Sequence, residues 1–270
     1  MVASGIPTAT SAEIRPVMAL DLNEVSCSYG GTKAVRSVSF SIPKGAYVAL
    51  IGPNGAGKTT LLNCISGYNS NYRGRVLFDG HDISRKPLHH VANQSLARTF
   101  QVPRIYRRMT VVSNVMLGAR RQIGESVLGA VLGTWRKQEA ENLERAWALL
   151  TRFGLERVAD NYGAELSGGQ ERLVELCRVL MLKPRAILLD EPFAGVSPAN
   201  RRRLADLILE LKSDPDFTIL MVEHRLEWVD QLCERTIVLA NGAVIADGTL
   251  AELRGQKSVI DSYLGSTEIA

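Results

Sequence analysis

An α/β fold around a parallel sheet is the class this sequence predicts, on three observations. Ala46–Ile51 and Ala186–Leu189 are short continuous apolar runs, the pattern of strands buried on both faces. The first leads into Gly52-Pro53-Asn54-Gly55-Ala56-Gly57-Lys58-Thr59, which matches GxxxxGK(S/T) and opens a helix. The second ends in Asp190-Glu191, and a carboxylate at the C-terminal end of such a strand faces the ligand crevice of a parallel sheet.

The remaining elements follow in order. Leu20 to Tyr29 carries alternating apolar residues, as does Val38-Ser39-Phe40-Ser41-Ile42, and both read as strands with one buried face. Pro43-Lys44-Gly45 is a turn into the Ala46–Ile51 strand. A helix from about Lys58 to Ser66 follows the glycine loop. Arg75 to Phe78 is another strand, closed by the Asp79-Gly80 turn. Residues 95–182 are helical in pattern, with helices over Val111–Arg121, Trp135–Leu150 and Gly169–Leu182, the last stopping before Pro184. Sheet then returns as Ala186–Leu189 and Phe217–Val222, with a helix from about Pro198 to Leu211 between them. Asn241-Gly242 turns a hairpin of Arg235–Ala240 and Ala243–Asp247, and short helices end the chain.

Composition bounds the function. The chain has 270 residues, 46% hydrophobic and 22% charged, as in an ordinary globular protein. No apolar run approaches the ~20 residues that span a bilayer, so the chain is not its own channel. Residues 1–19 lack the basic start and apolar stretch of a secretory signal and read as a flexible tail. Cys27, Cys64, Cys177 and Cys233 form no CxxC pair, which speaks against a zinc site and for reduced thiols. His89 and His90 read as a solvated helix start. The net charge of +4 is too mild to imply nucleic acid. Its distribution is uneven. Between Asp82 and Glu125 no acidic residue occurs, whereas Arg85, Lys86, Arg98, Arg104, Arg107, Arg108, Arg120 and Arg121 do. That stretch reads as a solvated basic face, or as a surface toward anionic lipid headgroups or an acidic partner loop.

The phosphate loop carries the chemistry. Its glycines let backbone N–H groups wrap phosphate oxygens, and the helix N-terminus adds partial positive charge. Lys58 is placed to neutralise the β- and γ-phosphates, Thr59 to ligate Mg²⁺, and Thr60 to touch the α-phosphate. Asp190 is placed to hold Mg²⁺ through water, and Glu191 to accept a proton from the attacking water.

With these stations the chain resembles the ATP-binding-cassette (ABC) ATPases over about residues 20–250. Leu166-Ser167-Gly168-Gly169-Gln170 resembles that family's signature. Gln101 resembles its switch glutamine, a metal-side residue linking nucleotide to the helical subdomain. His224 resembles the switch histidine that reaches the γ-phosphate, and Tyr29 the aromatic that stacks on adenine. The resemblance implies a P-loop NTPase-type, RecA-like core with an antiparallel β subdomain and an α-helical subdomain. It places the nucleotide-binding domain at 20–253, its helical subdomain at about 95–182, and a C-terminal helix and tail at 254–270. It implies ATP and Mg²⁺ as ligands. It also implies two copies closing head to tail, so that Ser167, Gly168, Gly169 and Gln170 of one meet the nucleotide held by Gly52, Pro53, Asn54, Gly55, Ala56, Gly57, Lys58, Thr59 and Thr60 of the other. One station departs from the pattern: Ser197 stands where many members have an aspartate after the Glu191-Pro192 turn.

Finer resemblance points to the ATPases of branched-chain amino-acid importers and of related amide importers. It is carried by Ala97-Arg98-Thr99-Phe100-Gln101, Arg108-Met109-Thr110-Val111 with Asn114, Val222-Glu223-His224, Leu232-Cys233-Glu234-Arg235 and Val259 to Gly265. Phe193-Ala194-Gly195-Val196 also resembles lipopolysaccharide-export ATPases, although the Thr99-Phe100-Gln101 context fits the importers better. Non-transport relatives carry long coiled coils or two cassettes, whereas this chain has no sustained heptads between Gln101 and Leu166 and one phosphate loop. The implied partners are transmembrane permease subunits, a second ATPase subunit, identical or related, and indirectly a periplasmic substrate-binding protein. The implied location is the cytoplasmic face of the inner membrane, held peripherally. The stretch holding Arg104, Tyr106, Arg107 and Arg108 is the expected docking cleft for the permease.

Overall fold

The computed structural model describes residues 17–120 and 135–264; the expected tail over 1–16, together with Arg121 and Gly265, lies outside the described residues. Alternation of apolar and polar residues produces a long antiparallel hairpin, β1 (Met18–Tyr29) and β2 (Thr32–Pro43), that turns at Gly30-Gly31. β1 therefore starts two residues inside the expected tail, because Ala19 is buried and the Val17 carbonyl accepts from the Lys44 N–H. β3 (Tyr47–Ile51) follows and leads through the glycine loop into α1 (Lys58–Ile65). β4 (Arg73–Phe78) and β5 (His81–Asp82) then complete a four-stranded antiparallel sheet in the order β2-β1-β4-β5.

The chain next forms α2 (Leu88–Asn93) and β6 (Leu96–Arg98), then α3 (Val111–Met116), α4 (Trp135–Arg152) and α5 (Gly168–Met181). It returns to the sheet with β7 (Ala186–Asp190), α6 (Pro198–Glu210), β8 (Thr218–Val222), α7 (Leu226–Leu232), β9 (Arg235–Ala240) and β10 (Ala243–Gly248). α8 (Leu250–Leu253) and α9 (Lys257–Leu264) end the described chain. The second sheet runs β10-β9-β3-β8-β7-β6, parallel from β9 to β6, with β10 antiparallel at its edge.

Both faces of this sheet are covered, which is why β3, β7 and β8 are buried at every residue. One face, with Val48, Leu50, Leu188 and Leu220, packs on Leu61, Leu62 and Ile65 of α1 and on the antiparallel sheet. The other, with Ile187, Leu189, Ile219 and Met221, packs on α3, α4, α5 and α6. Each fully buried aliphatic side chain contributes about 1.5–3 kcal/mol.

Two expectations change here. The 95–182 stretch opens with a strand, since Leu96, Ala97 and Arg98 of β6 pair with Ala186, Ile187 and Leu188 of β7. Three residues are too few to show a period. α3 also ends at Met116, short of the expected Arg121.

Phe193 is fully buried and stacks on Trp228 of α7, with ring centroids 4.7 Å apart and planes 17° apart. The stack ties the chain after β7 to the chain after β8. Phe193→Ala should reduce unfolding free energy by about 3–5 kcal/mol in urea denaturation; a loss under about 1 kcal/mol would show that this contact is dispensable.

Candidate active site

Parallel register brings three strand ends to one edge. Val222 pairs with Leu50 on one side and with Asp190 on the other. The next residues of the three strands are the glycine loop after β3, Glu191 after β7, and Glu223-His224 after β8.

The glycine loop is shaped by contacts that exclude a side chain. Gly57, the N-cap of α1, has φ +99°, and a Cβ there would lie 2.2 Å from the Ala34 carbonyl oxygen of β2. Behind it, Lys58 is buried, and its Nζ donates to the carbonyls of Gly52 at 2.7 Å and Pro53 at 2.9 Å. Burial pulls the Lys58 ammonium below its ordinary pKa, and the carboxylates of Glu191 and Asp190 oppose that pull. Thr59 is exposed and Thr60 half-buried.

Residues Asn54 to Thr60 line a cleft of about 250 Å³ together with Gln101, Glu191 and His224. Glu191 has a left-handed backbone, φ +48°, a conformation that costs a non-glycine residue about 1–2 kcal/mol. Its N–H donates to the Val222 carbonyl at 2.9 Å. Its carboxylate accepts from Gln101 Nε2 at 3.1 Å and meets His224 Nε2 at 3.0 Å. Glu191 therefore joins Gln101 and His224 within the cleft.

Asp190 lies deeper. Its Oδ2 accepts from Arg98 Nη2 at 2.9 Å, and its Oδ1 is buried with no hydrogen-bond partner. Arg98, expected on a basic surface, is thus interior; charge pairing and hydrogen bonds permit its burial. Arg85, Lys86, Arg104, Arg107 and Arg108 of the same stretch are exposed, and Arg120 is half-buried.

Other stations lie outside the cleft. Ser167 caps α5 in a reciprocal box: its Oγ accepts from the Gln170 N–H, and Gln170 Oε1 accepts from the Ser167 N–H at 2.9 Å. Ser167 and Gly168 are exposed, while Gly169 is buried near Asn200 of α6. This N-terminus does not line the cleft beside the chain's own phosphate loop. Tyr29 is 51% exposed at the end of β1, where its hydroxyl accepts from Asn69 Nδ2 at 3.0 Å. Ser197 is the N-cap of α6, ahead of Pro198, and its side chain makes no capping bond.

Several positioning residues were not singled out from sequence. Glu223 is buried, and its Oε1 accepts from the N–H groups of His224 at 2.9 Å and Arg225 at 3.1 Å, fixing the turn that carries the histidine. Burial raises its pKa. Arg172 and Glu175 of α5 form a buried pair at 3.3 Å. Arg172 donates to the carbonyls of Phe100 and Gln101, and Glu175 Oε1 accepts from the Phe100 N–H at 3.3 Å. The helix begun by the serine–glycine run thus grips the backbone of Gln101. Asn114 is fully buried and pins the same loop through the Tyr106 N–H and the carbonyls of Tyr106, Met109 and Thr110. Beside this loop lies a groove of about 300 Å³ lined by Phe100, Arg104, Tyr106, Leu117 and Arg178 among others. In the sequence, Glu223 and Asn114 count only as carriers of a family resemblance, and Arg104 and Tyr106 as part of an expected docking cleft; Arg172 and Glu175 give no signal beyond their place beside the serine–glycine run.

A glycine loop at the C-terminal edge of a parallel sheet, facing an acidic strand end, defines a phosphate-loop NTPase. Residues 35–194 match the ABC transporter family, and the chain belongs to that family as an ATP-binding cassette, a class of ATPase. It is 36% identical over 249 residues to the probable branched-chain amino acid transport ATP-binding protein LivG of Archaeoglobus fulgidus, covering 92% of this chain and 96% of that one. It is 35% identical to the high-affinity branched-chain amino acid transport ATP-binding protein BraF of Pseudomonas aeruginosa, covering 93% and 98%. Among solved structures, a nucleotide-free ATP-binding cassette from an ABC transporter superposes with a TM-score of 0.79 at 35% identity, covering 91% of this chain and 98% of that one. The ADP conformation of an ATP-binding cassette of an ABC transporter gives 0.77 at 36%, covering 92% and 99%.

The glycine contact is testable. Gly57→Ala should weaken nucleotide affinity at least about tenfold, equivalent to 1.4 kcal/mol, in a fluorescent-nucleotide titration. Unchanged affinity would mean that the β2 backbone gives way freely.

Proposed function

We propose that this chain is the ATPase subunit of an importer for branched-chain amino acids or related amides. It would act peripherally on the cytoplasmic face of the inner membrane. The observation that carries the chemistry is the convergence of Lys58, Gln101, Glu191 and His224 on one cleft beside the glycine loop. The relatives' names supply the cargo. No helix among the described residues is long and apolar enough to cross a membrane. Permease subunits therefore form the pathway, supplied by a periplasmic binding protein.

ATP would bind with its phosphates wrapped by Gly52, Pro53, Asn54, Gly55, Ala56, Gly57, Lys58, Thr59 and Thr60, and its adenine against Tyr29. Mg²⁺ fits the residues present: Asp190 Oδ1 is buried without a partner, and Thr59 offers its hydroxyl from α1. Thr59, Gln101 and, through water, Asp190 would hold the ion, which supplies charge neutralisation on the phosphates. Glu191 orients a water and takes its proton, held in place by Gln101 and His224. His224 then reaches the γ-phosphate. The exposed Ser167-Gly168 N-terminus completes the site of a second subunit, as a helix N-terminus suits an anion. A cassette 25% identical over 86% of this chain, with a TM-score of 0.71, was solved as a dimer with ADP and Pi, which supports that reading. With Ser197 at that station, the α6 N-terminus brings no carboxylate to such an interface.

The groove beside Phe100, Arg104 and Tyr106 is the proposed seat of the permease loop. Tyr106 is 57% exposed there, and Arg104 stacks on Phe100 at 4.0 Å. The Arg172–Glu175 grip on Gln101 would carry motion from this seat to the cleft.

Glu191→Gln should bind Mg-ATP with near-parent affinity, lose at least ~10²-fold in turnover and elute as a dimer with ATP in size exclusion. Parent-like hydrolysis would remove Glu191 from its role. Arg104→Glu combined with Tyr106→Ala should abolish co-purification with the permease while leaving nucleotide affinity unchanged; intact assembly would move the docking site elsewhere.

A further inference from the structure

We infer that Arg98 is a positioning residue for the metal half of the site, joining the three residues that face the cation. It lies on β6 and is nearly inaccessible, with its side chain 3% exposed against 1% for Asp190. Nη2 donates to Asp190 Oδ2 at 2.9 Å. Nη1 donates to Asn63 Oδ1 at 2.7 Å and Ser66 Oγ at 3.0 Å, both at the C-terminal end of α1 and its cap. The guanidinium also stands 5.3 Å from the Phe100 ring centroid, next to Gln101 in the chain.

This arrangement differs from simple neutralisation of a buried acid. A guanidinium meets a carboxylate best through two parallel bonds. Here the second nitrogen turns to α1, and Asp190 Oδ1 is left buried and bare. One oxygen is pinned so that the other stays free for a ligand. The same fork fixes β7, which carries Asp190, against α1, which carries Thr59. Through two residues of chain it also fixes the start of the Gln101 loop. Arg98 thus sets the spacing of Thr59, Asp190 and Gln101 before any cation arrives. Its own charge opposes a nearby cation, so its benefit is geometric.

The inference rests on the Mg-ATP reading of the cleft, and one experiment separates the two. Binding of a non-hydrolysable ATP analogue is titrated with Mg²⁺, and separately measured in EDTA, for the parent chain, Arg98→Lys and Asn63→Ala. Arg98→Lys keeps the charge and loses the fork. Asn63→Ala, at a half-buried position, frees the guanidinium without emptying the core and decides the question if the lysine variant does not fold. Arg98→Lys should raise the Mg²⁺ half-saturation about 10–100-fold, the usual effect of losing a group that orients a metal ligand. Asn63→Ala should raise it in the same direction by a smaller factor, and affinity in EDTA should be unchanged in both. Folded variants with parent-like Mg²⁺ dependence would make Arg98 structural only and overturn the inference. A lowered half-saturation would also overturn it, showing that Arg98 competes with the cation. A parent chain whose analogue affinity ignores Mg²⁺ would overturn the Mg-ATP reading itself.

Discussion

Parallel register between β3, β8 and β7 is the constraint on which the site depends. Leu50, Val222 and Asp190 stand side by side, so three segments far apart in sequence leave the sheet at one edge. The loop that wraps phosphate, the carboxylates and the histidine then need no long excursions to meet. Slipping β8 by one residue would exchange the side chains that pack on α1 with those that pack on α3 to α6, and would displace Glu223 and His224 from Glu191. The hydrophobic packing on both faces of the sheet, which prevents that slip, is therefore also what holds the cleft together.

A second layer of organisation lies between the sheet and the helical subdomain. Gln101 sits on an exposed loop, yet its backbone is gripped by Arg172 and Glu175 from α5, while Asn114 of α3 pins the segment that follows. The side chain meets Glu191 and the main chain follows α5. A displacement of α5 would reach the carboxylate through a short chain of hydrogen bonds. The groove lined by Phe100 and Tyr106 opens on the same segment, so contact there bears directly on the cleft.

Much of this was legible in the sequence because it is local. The glycine loop declares itself through spacing, and β3 and β7 through apolar runs of strand length. The Asn241-Gly242 hairpin declares itself through its turn residues. The two long antiparallel strands showed in their alternation, though not their pairing. What stayed hidden was tertiary. Arg98 reads as one more surface arginine, because its partners Asp190, Asn63 and Ser66 come from distant parts of the chain. β6 is too short to carry a period. Arg172, Glu175 and Glu223 are charged residues whose burial depends on contacts that no spacing rule describes. The Ser167–Gln170 run lies outside the chain's own cleft, so one subunit shows only its local cap.

The left-handed backbone of Glu191 sets the fold and its chemistry at odds. Glycine at that position would adopt the same conformation at no steric cost. A lineage selected for heat resistance alone could therefore gain stability by discarding the very carboxylate that the cleft surrounds. The carboxylate that meets Gln101 and His224 is thus held at a small, constant cost in stability.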